Sequence, residues 1–125
     1  MKRIAALFVV AVATAVIAVT AATAGASKSR LIGTVGKNNS FKITLADSSG
    51  RRVRSLKTGT YTIVVHDASR IHNFELEREH NGRDWDVTNV AFVGTKTIRL
   101  KLTPGEYKVY CEPHESTMFQ KFTVR

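Results

Sequence analysis

Apolar and polar residues alternate with a period of two in several short segments after residue 30. The apolar positions of these segments are Phe41, Ile43 and Leu45; Tyr61, Ile63 and Val65; Ile98, Leu100 and Leu102; and Tyr107, Val109 and Cys111. Such alternation is typical of β-strands that bury one face. Shorter apolar patterns predict further strands at residues 31–35, at residues 73–76 and around Phe122 and Val124.

Turn-forming residues separate these predicted strands. They occur at residues 47–50, 58–59, 80–82, 93–94 and 103–105. About seven or eight short strands with this spacing predict an all-β fold, a Greek-key antiparallel β-sandwich. Tyr107, which follows Pro104 and Gly105, is expected to fix a corner of the sandwich. Residues 77–87 form the longest polar stretch, and we expect a surface excursion there with one helical turn.

The N-terminal residues have a different character from the rest of the chain. Lys2 and Arg3 precede an uncharged stretch at residues 4–26, which ends in small residues suited to a signal peptidase. We therefore interpret residues 1–26 as a signal peptide and residues 27–125 as a single domain, exported to the periplasm or outside the cell. The alternative is an uncleaved membrane anchor, because the stretch approaches the length that spans a bilayer.

The predicted domain is basic. Of the 19 Lys and Arg residues two precede residue 27, which leaves 17 against 10 Asp and Glu, a net charge of +7. Export argues against nucleic acid as the partner, and after cleavage we expect a monomer with no stable membrane insertion. Arg51, Arg52, Arg54 and Lys57 form one local cluster. A solvated loop is the simpler interpretation, and attraction to an acidic partner protein or to anionic headgroups is the alternative.

Cys111 is the only cysteine, so it cannot form a disulfide within the chain. His114 and Met118 follow it on the same predicted loop, and His72 is the candidate for a fourth donor. Two imidazoles, a thiolate and a weak thioether are the donor set of a blue-copper site. Structural zinc does not commonly use thioether, and haem attachment needs a second cysteine. A cysteine protease would have no use for the methionine.

The chain at this point resembles the cupredoxins, the small blue-copper proteins. The matching stretches are residues 59–61, 72–74, 102–107 and 111–114, together with Met118. The resemblance extends from about residue 31 to the C-terminus. It implies that His72, Cys111, His114 and Met118 bind one type 1 copper ion. It also implies that Asn73 connects the two ligand-bearing loops and that its backbone N–H reaches the cysteine sulfur.

Two features near the predicted site depart from the common pattern of that family. Three residues separate His114 from Met118, which lies within the variation of the family. Gln120 stands where many members have glycine. His66 and His80 are interpreted as surface or packing residues rather than ligands.

The first functional hypothesis is an exported one-electron carrier that cycles between Cu(II) and Cu(I) and serves a redox partner protein, whose surface could be acidic. A copper-binding module for storage, delivery or sensing is the second hypothesis, and a metal-free interaction domain is the third. We do not expect an enzyme, because the four histidines form none of the paired motifs of copper oxidases.

Overall fold

The computed structural model describes residues 29–80 and 82–125. Within these ranges the chain forms nine β-strands: β1 (Arg30–Val35), β2 (Ile43–Asp47), β3 (Ser55–Leu56), β4 (Gly59–Asp67), β5 (Phe74–Arg78), β6 (Arg83–Thr88), β7 (Gly94–Leu102), β8 (Gly105–Tyr110) and β9 (Phe119–Val124). Two single-turn 3₁₀ helices lie at Lys37–Asn39 and Glu112–His114. The predicted signal peptide lies outside the described residues. None of the helices in these two ranges is long and apolar enough to cross a lipid bilayer.

The strands form the two sheets of a β-sandwich, as predicted. Sheet A has the order β2-β1-β4-β7, and sheet B has the order β3-β9-β8-β5-β6. The alternating apolar side chains meet between the sheets, where Leu31, Leu45, Ile63, Leu76 and Val109 are almost completely buried. Burial of one face of each sheet is the main source of stability in this architecture.

Each sheet is mixed, because two strand pairings are parallel. The N-terminal strand β1 pairs with β4 in parallel, and the short strand β3 pairs with the C-terminal strand β9 in the same way. The other pairings are antiparallel, as expected. Alternation specifies which face of a strand is buried, but it does not specify the neighbouring strand or its direction.

The prediction that residues 77–87 form a surface excursion with one helical turn is wrong. Most of this stretch belongs to an antiparallel pair formed by β5 and β6, with Glu77 opposite Asp84 and Arg78 opposite Arg83. Strand β6 is an edge strand of sheet B, and its exposed side is polar. Its inward side carries Trp85, which packs against the core. A polar edge strand of this kind has the composition of a loop.

Tyr107 fixes the corner between β7 and β8. Its ring is buried, and its hydroxyl donates to the carbonyl of Thr103 at 3.0 Å. The hydroxyl oxygen of Tyr107 in turn accepts the N–H of Thr103 at 3.2 Å. The predicted corner tyrosine is therefore confirmed.

Gln120 closes one edge of the sandwich. Its side-chain oxygen accepts the N–H of Leu45 at 2.9 Å, and its side-chain nitrogen donates to the carbonyls of Leu45 and Val53, each at 2.9 Å. Leu45 belongs to β2, an edge strand of sheet A, while Gln120 belongs to β9 in sheet B. The Leu45 carbonyl also accepts the N–H of Val53 at 2.9 Å, so the buried amide links this pair of segments to sheet B, which a glycine could not do.

Gln120→Met retains most of the side-chain volume but removes these three hydrogen bonds. We expect the free energy of unfolding to fall by about 3 kcal/mol, because the Leu45 N–H and the Val53 carbonyl each lose a buried partner at a cost of about 1–3 kcal/mol. The Leu45 carbonyl keeps the N–H of Val53. Urea unfolding monitored by circular dichroism measures the change. Lys121→Met, at the outward-facing neighbour, is the control and should cost less than about 1 kcal/mol. Equal losses for the two variants would contradict a special role for the amide.

Candidate metal centre

Three nitrogen and sulfur donors from two parts of the chain converge at one end of the sandwich. The Nδ1 atoms of His72 and His114 lie 3.1 Å apart. The sulfur of Cys111 lies 3.6 Å from the first of these nitrogens and 3.5 Å from the second. His72 and Cys111 are completely buried, whereas His114 is partly exposed. The structure therefore brings together three of the four residues predicted as ligands.

The segment that carries His72 connects β4 in sheet A to β5 in sheet B. The buried carboxylate of Asp67, at the end of β4, accepts the Ser69 N–H at 3.1 Å and the Thr88 hydroxyl at 2.7 Å. The Thr88 oxygen in turn accepts the N–H of Phe74 at 2.8 Å. These bonds hold both ends of the short loop, so the position of His72 is set by its neighbours in the fold.

Gly36 allows the turn after β1 to approach this loop closely. Its φ of 67° lies in the left-handed region, which glycine adopts without strain. A Cβ atom at this position would collide with Ser69 and would lie 3.1 Å from the ring of His72. A larger residue would therefore displace the loop that carries the imidazole.

Cys111, His114 and Met118 lie on the loop between β8 and β9. The Cys111 N–H donates to the carbonyl of Met118 at 3.0 Å, and the Met118 N–H donates to the carbonyl of His114 at 2.8 Å. Pro113 occupies the 3₁₀ turn between the cysteine and the histidine, where its ring limits the backbone. The side chain of Met118 is 1% exposed. The loop therefore turns back on itself and places the predicted axial residue in the interior.

Asn73 connects the two loops. Its side-chain oxygen accepts the N–H of Glu112 at 2.8 Å, across 39 residues of sequence. Its backbone N–H lowers the pKa of the Cys111 thiol, against the effect of burial. The expected connection between the two loops through the Asn73 side chain is therefore present.

Burial influences the ionisation of the two innermost donors. It raises the pKa of the Cys111 thiol, while the backbone N–H groups of Asn73 and His114 act in the opposite direction. It lowers the pKa of His72, and the neighbouring His114 lowers that pKa further, whereas Asp67 opposes the shift. A neutral imidazole has a free lone pair, which is the form that binds a metal.

The donor triangle fits a metal ion of trigonal coordination. Bonds of about 2.0–2.3 Å at trigonal angles place neighbouring donors roughly 3.5–3.8 Å apart. The two sulfur–nitrogen distances agree with this range to within a few tenths of an ångström, and the two imidazole nitrogens would separate slightly around an ion. Glu79, His80 and Glu106 form a second group of suitable residues, but Glu79 pairs with Lys121 and His80 pairs with Glu106 at the exposed surface.

No family model matches this chain, and no curated protein has a recognisably similar sequence. Solved structures of rusticyanin do resemble it. Rusticyanin from Thiobacillus ferrooxidans at 1.27 Å resolution has a TM-score of 0.55 and 14% identity over 79% of this chain and 78% of that chain. A 2.1 Å structure described as the copper protein rusticyanin has a TM-score of 0.56, with 11% identity over the same shares. This chain has the cupredoxin fold.

The candidate metal site includes an aromatic residue that the sequence pattern assigned to a strand. Phe41 lies before β2 and is 55% exposed. Its ring contacts those of His72 and His114 edge-on, with centroid distances of 4.8 and 4.9 Å. The phenyl ring therefore covers part of the imidazole pair at the surface. Because Phe41 alternates with Ile43 and Leu45, the sequence pattern assigned it to a strand and did not indicate its contact with the imidazole rings.

Glu75 is a second residue of the candidate metal site that the sequence analysis missed. It lies directly opposite Tyr110 in the β5–β8 pairing and is 7% exposed. Its carboxylate accepts the side-chain N–H of Asn73 at 2.6 Å and the hydroxyl of Tyr110 at 3.1 Å. Burial raises the pKa of Glu75, while the two hydrogen bonds lower it. The carboxylate thereby orients the Asn73 amide, so that its oxygen faces Glu112.

Replacement of Glu75 by leucine should loosen the ligand loop even without metal. The Asn73 amide loses the acceptor that orients it, so we expect hydrogen exchange of the Glu112 amide to accelerate at least ten-fold, the factor that corresponds to about 1.4 kcal/mol. Exchange measured by NMR on the metal-free protein tests this. Glu75→Gln keeps an acceptor for Asn73 and should restore slow exchange. Unchanged exchange in the leucine variant would contradict the role given to Glu75.

Proposed function

We propose that this protein is a type 1 copper protein that carries single electrons. His72, Cys111 and His114 would supply the equatorial donors, and Met118 would supply a weak axial thioether. The convergence of the two imidazole nitrogens on the thiol sulfur, within 3.1–3.6 Å of one another, is the observation that carries the proposal. Thiolate and imidazole together favour copper, and the thioether is characteristic of blue-copper sites.

The arrangement of hydrogen bonds around the donors supports electron transfer. A bound copper ion would supply the Cu(II)/Cu(I) couple. Asn73 connects the two loops, and Glu75 orients its amide. Donors held in this way change little when the oxidation state changes, and a small rearrangement favours rapid transfer. The same rigidity would be of little use to a storage or delivery module, which must release its metal.

His114 and Phe41 support a docking position for the redox partner at this end of the sandwich. His72 is completely buried, whereas His114 is partly exposed and Phe41 is 55% exposed. An electron would therefore leave the centre most directly through the His114 ring. Ile71, which directly precedes His72, is also apolar and 55% exposed. The partner would be a protein that contacts this apolar end.

We further propose that the protein acts outside the cytoplasm. Residues 1–26 have the features of a signal peptide, and a carrier exported to the periplasm or beyond meets partners there. Mass measurement of the exported protein tests the cleavage after Ala26. Recovery of the intact chain in the membrane fraction would establish the alternative, an uncleaved anchor.

Titration of the metal-free protein with Cu(II) should produce one intense blue absorption band at one equivalent of copper. The band would arise from charge transfer from the thiolate sulfur of Cys111 to Cu(II), so Cys111→Ser should abolish it. Visible absorption and copper analysis provide the measurement. The control is His66→Ala, because the exposed His66 ring hydrogen-bonds the Thr95 side chain and is not one of the converging donors. A colourless parent protein, or a band that survives Cys111→Ser, would overturn the copper proposal.

The four ligand positions should differ in their effects. Met118→Leu should retain copper and raise the reduction potential, because the lost thioether is a weak donor that helps to stabilise Cu(II). His72→Ala and His114→Ala should lose or severely alter the blue centre, because imidazoles supply strong equatorial bonds. Voltammetry and copper stoichiometry distinguish these outcomes. A potential that is unchanged in Met118→Leu but shifted in a Gln120 variant would show that the axial ligand is misassigned.

A further inference from the structure

The end of the sandwich opposite the candidate metal centre carries exposed basic side chains from several separate parts of the chain. We call this group the basic end, and it consists of Arg30, Arg51, Arg52, Lys57, Arg99 and Lys101. The sequence shows only the local part of this group, around residues 51–57. The remaining members are brought beside it by strand pairing.

Register in sheet A aligns the basic residues of β1 and β7. Arg30 pairs with Thr62 of β4, and Thr62 pairs with Arg99 of β7. Thr60 pairs with Lys101 in the same way. Side chains at paired positions point to the same face, so these three basic residues share the outer surface of sheet A.

The loop after β2 adds the cluster around residue 51 to the same end. Asp47, the last residue of β2, pairs with Leu31, which directly follows Arg30. The Asp47 N–H donates to the carbonyl of Arg51 at 2.9 Å, and Arg52 forms an isolated bridge with Ala46. The turn that carries these arginines therefore lies beside the start of β1.

Acidic residues do not neutralise this surface. The four strands of sheet A contain two acids, Asp47 and Asp67. Asp47 pairs with Arg51 at 3.1 Å, and Asp67 is buried at the other end of the sheet. Glu79 and Glu106 border the basic end from sheet B, where they pair with Lys121 and His80. Among the described residues, no ion pair involves Arg30, Arg52, Lys57, Arg99 or Lys101.

Strand β1 runs from the basic end toward the candidate metal centre. Arg30 begins this strand at the basic end, and Val35 ends it about 17 Å away, at a rise of about 3.3 Å per residue. The Val35 carbonyl accepts the N–H of Ala68, in the loop that leads to His72. The two surfaces therefore lie at opposite ends of the molecule.

The N-terminal segment joins the sandwich at the basic end. Three residues separate the uncharged stretch 4–26 from Arg30, and three residues span about 10 Å at most. While that stretch is in a membrane, the basic end is the part of the domain next to the headgroups. Basic residues beside an anionic bilayer strengthen binding about five-fold each.

We propose that the basic end docks on anionic phospholipid headgroups and that the metal centre then faces away from the membrane. The partner at the metal end is thus free to approach from the aqueous side. This inference does not depend on copper, so its failure leaves the proposed function intact.

Co-sedimentation of the exported protein with phospholipid vesicles tests the proposal. We expect binding to vesicles that contain phosphatidylglycerol, weak binding to pure phosphatidylcholine, and release at high NaCl concentration. The double variant Arg99→Glu/Lys101→Glu should bind the anionic vesicles on the order of 30-fold more weakly, from the loss of two basic residues alone. Arg52→Glu/Lys57→Glu provides a second variant with the same change of charge, and circular dichroism confirms that each variant folds.

The matched control is Lys37→Glu/Lys42→Glu, which makes the same change of net charge near the metal centre. Both lysines are exposed there, beside the turn between β1 and β2. Retained binding in this control supports a specific basic end. Equal losses in all three double variants would overturn the proposal in favour of net charge alone. Failure of the parent to bind anionic vesicles, combined with salt-sensitive retention on immobilised polyglutamate, would overturn it in favour of an acidic protein partner.

Discussion

The side-chain amide of Asn73 joins the two segments of the chain that carry the candidate ligands. His72 directly precedes Asn73 in the sequence. The side-chain oxygen of Asn73 accepts the backbone N–H of Glu112 in the other loop. The amide has only one productive orientation, because Glu75 accepts the hydrogen bond from its nitrogen. The donor triangle therefore depends on a small polar network whose members are buried. A buried network of this kind specifies one arrangement when all its members have partners.

Most of the fold could be predicted because alternation reports burial directly. Residues such as Ile63 and Val109 face the core, as their spacing indicated. Strand β6 was missed because an edge strand needs an apolar pattern on one side only, and charges such as Arg83 and Asp84 dominate its composition. Parallel pairing of β1 with β4 could not be predicted. It depends on the path of the chain between the sheets and not on any local feature.

The residues of the candidate site likewise include some that the sequence could identify and some that it could not. Cys111, His114 and Met118 could be identified because they lie close together in sequence, in an order that suits one metal ion. His72 could be identified through the asparagine and phenylalanine that follow it. Phe41 and Glu75 could not, because each acts through a contact with a distant segment: the imidazole rings in one case, Tyr110 and Asn73 in the other. Gln120 was visible as an unusual residue, but its bonds to Leu45 depend on the approach of two sheets.

The central position of β1 has a mechanical consequence. The N-terminal segment continues directly into this strand, which is hydrogen-bonded to β2 on one side and to β4 on the other. A force applied at Arg30 along the axis of β1 would load both ladders in shear. Many hydrogen bonds would then have to break together, rather than one after another as when an edge strand is peeled away. The described domain therefore resists a pull directed along β1 from the N-terminal end of that strand.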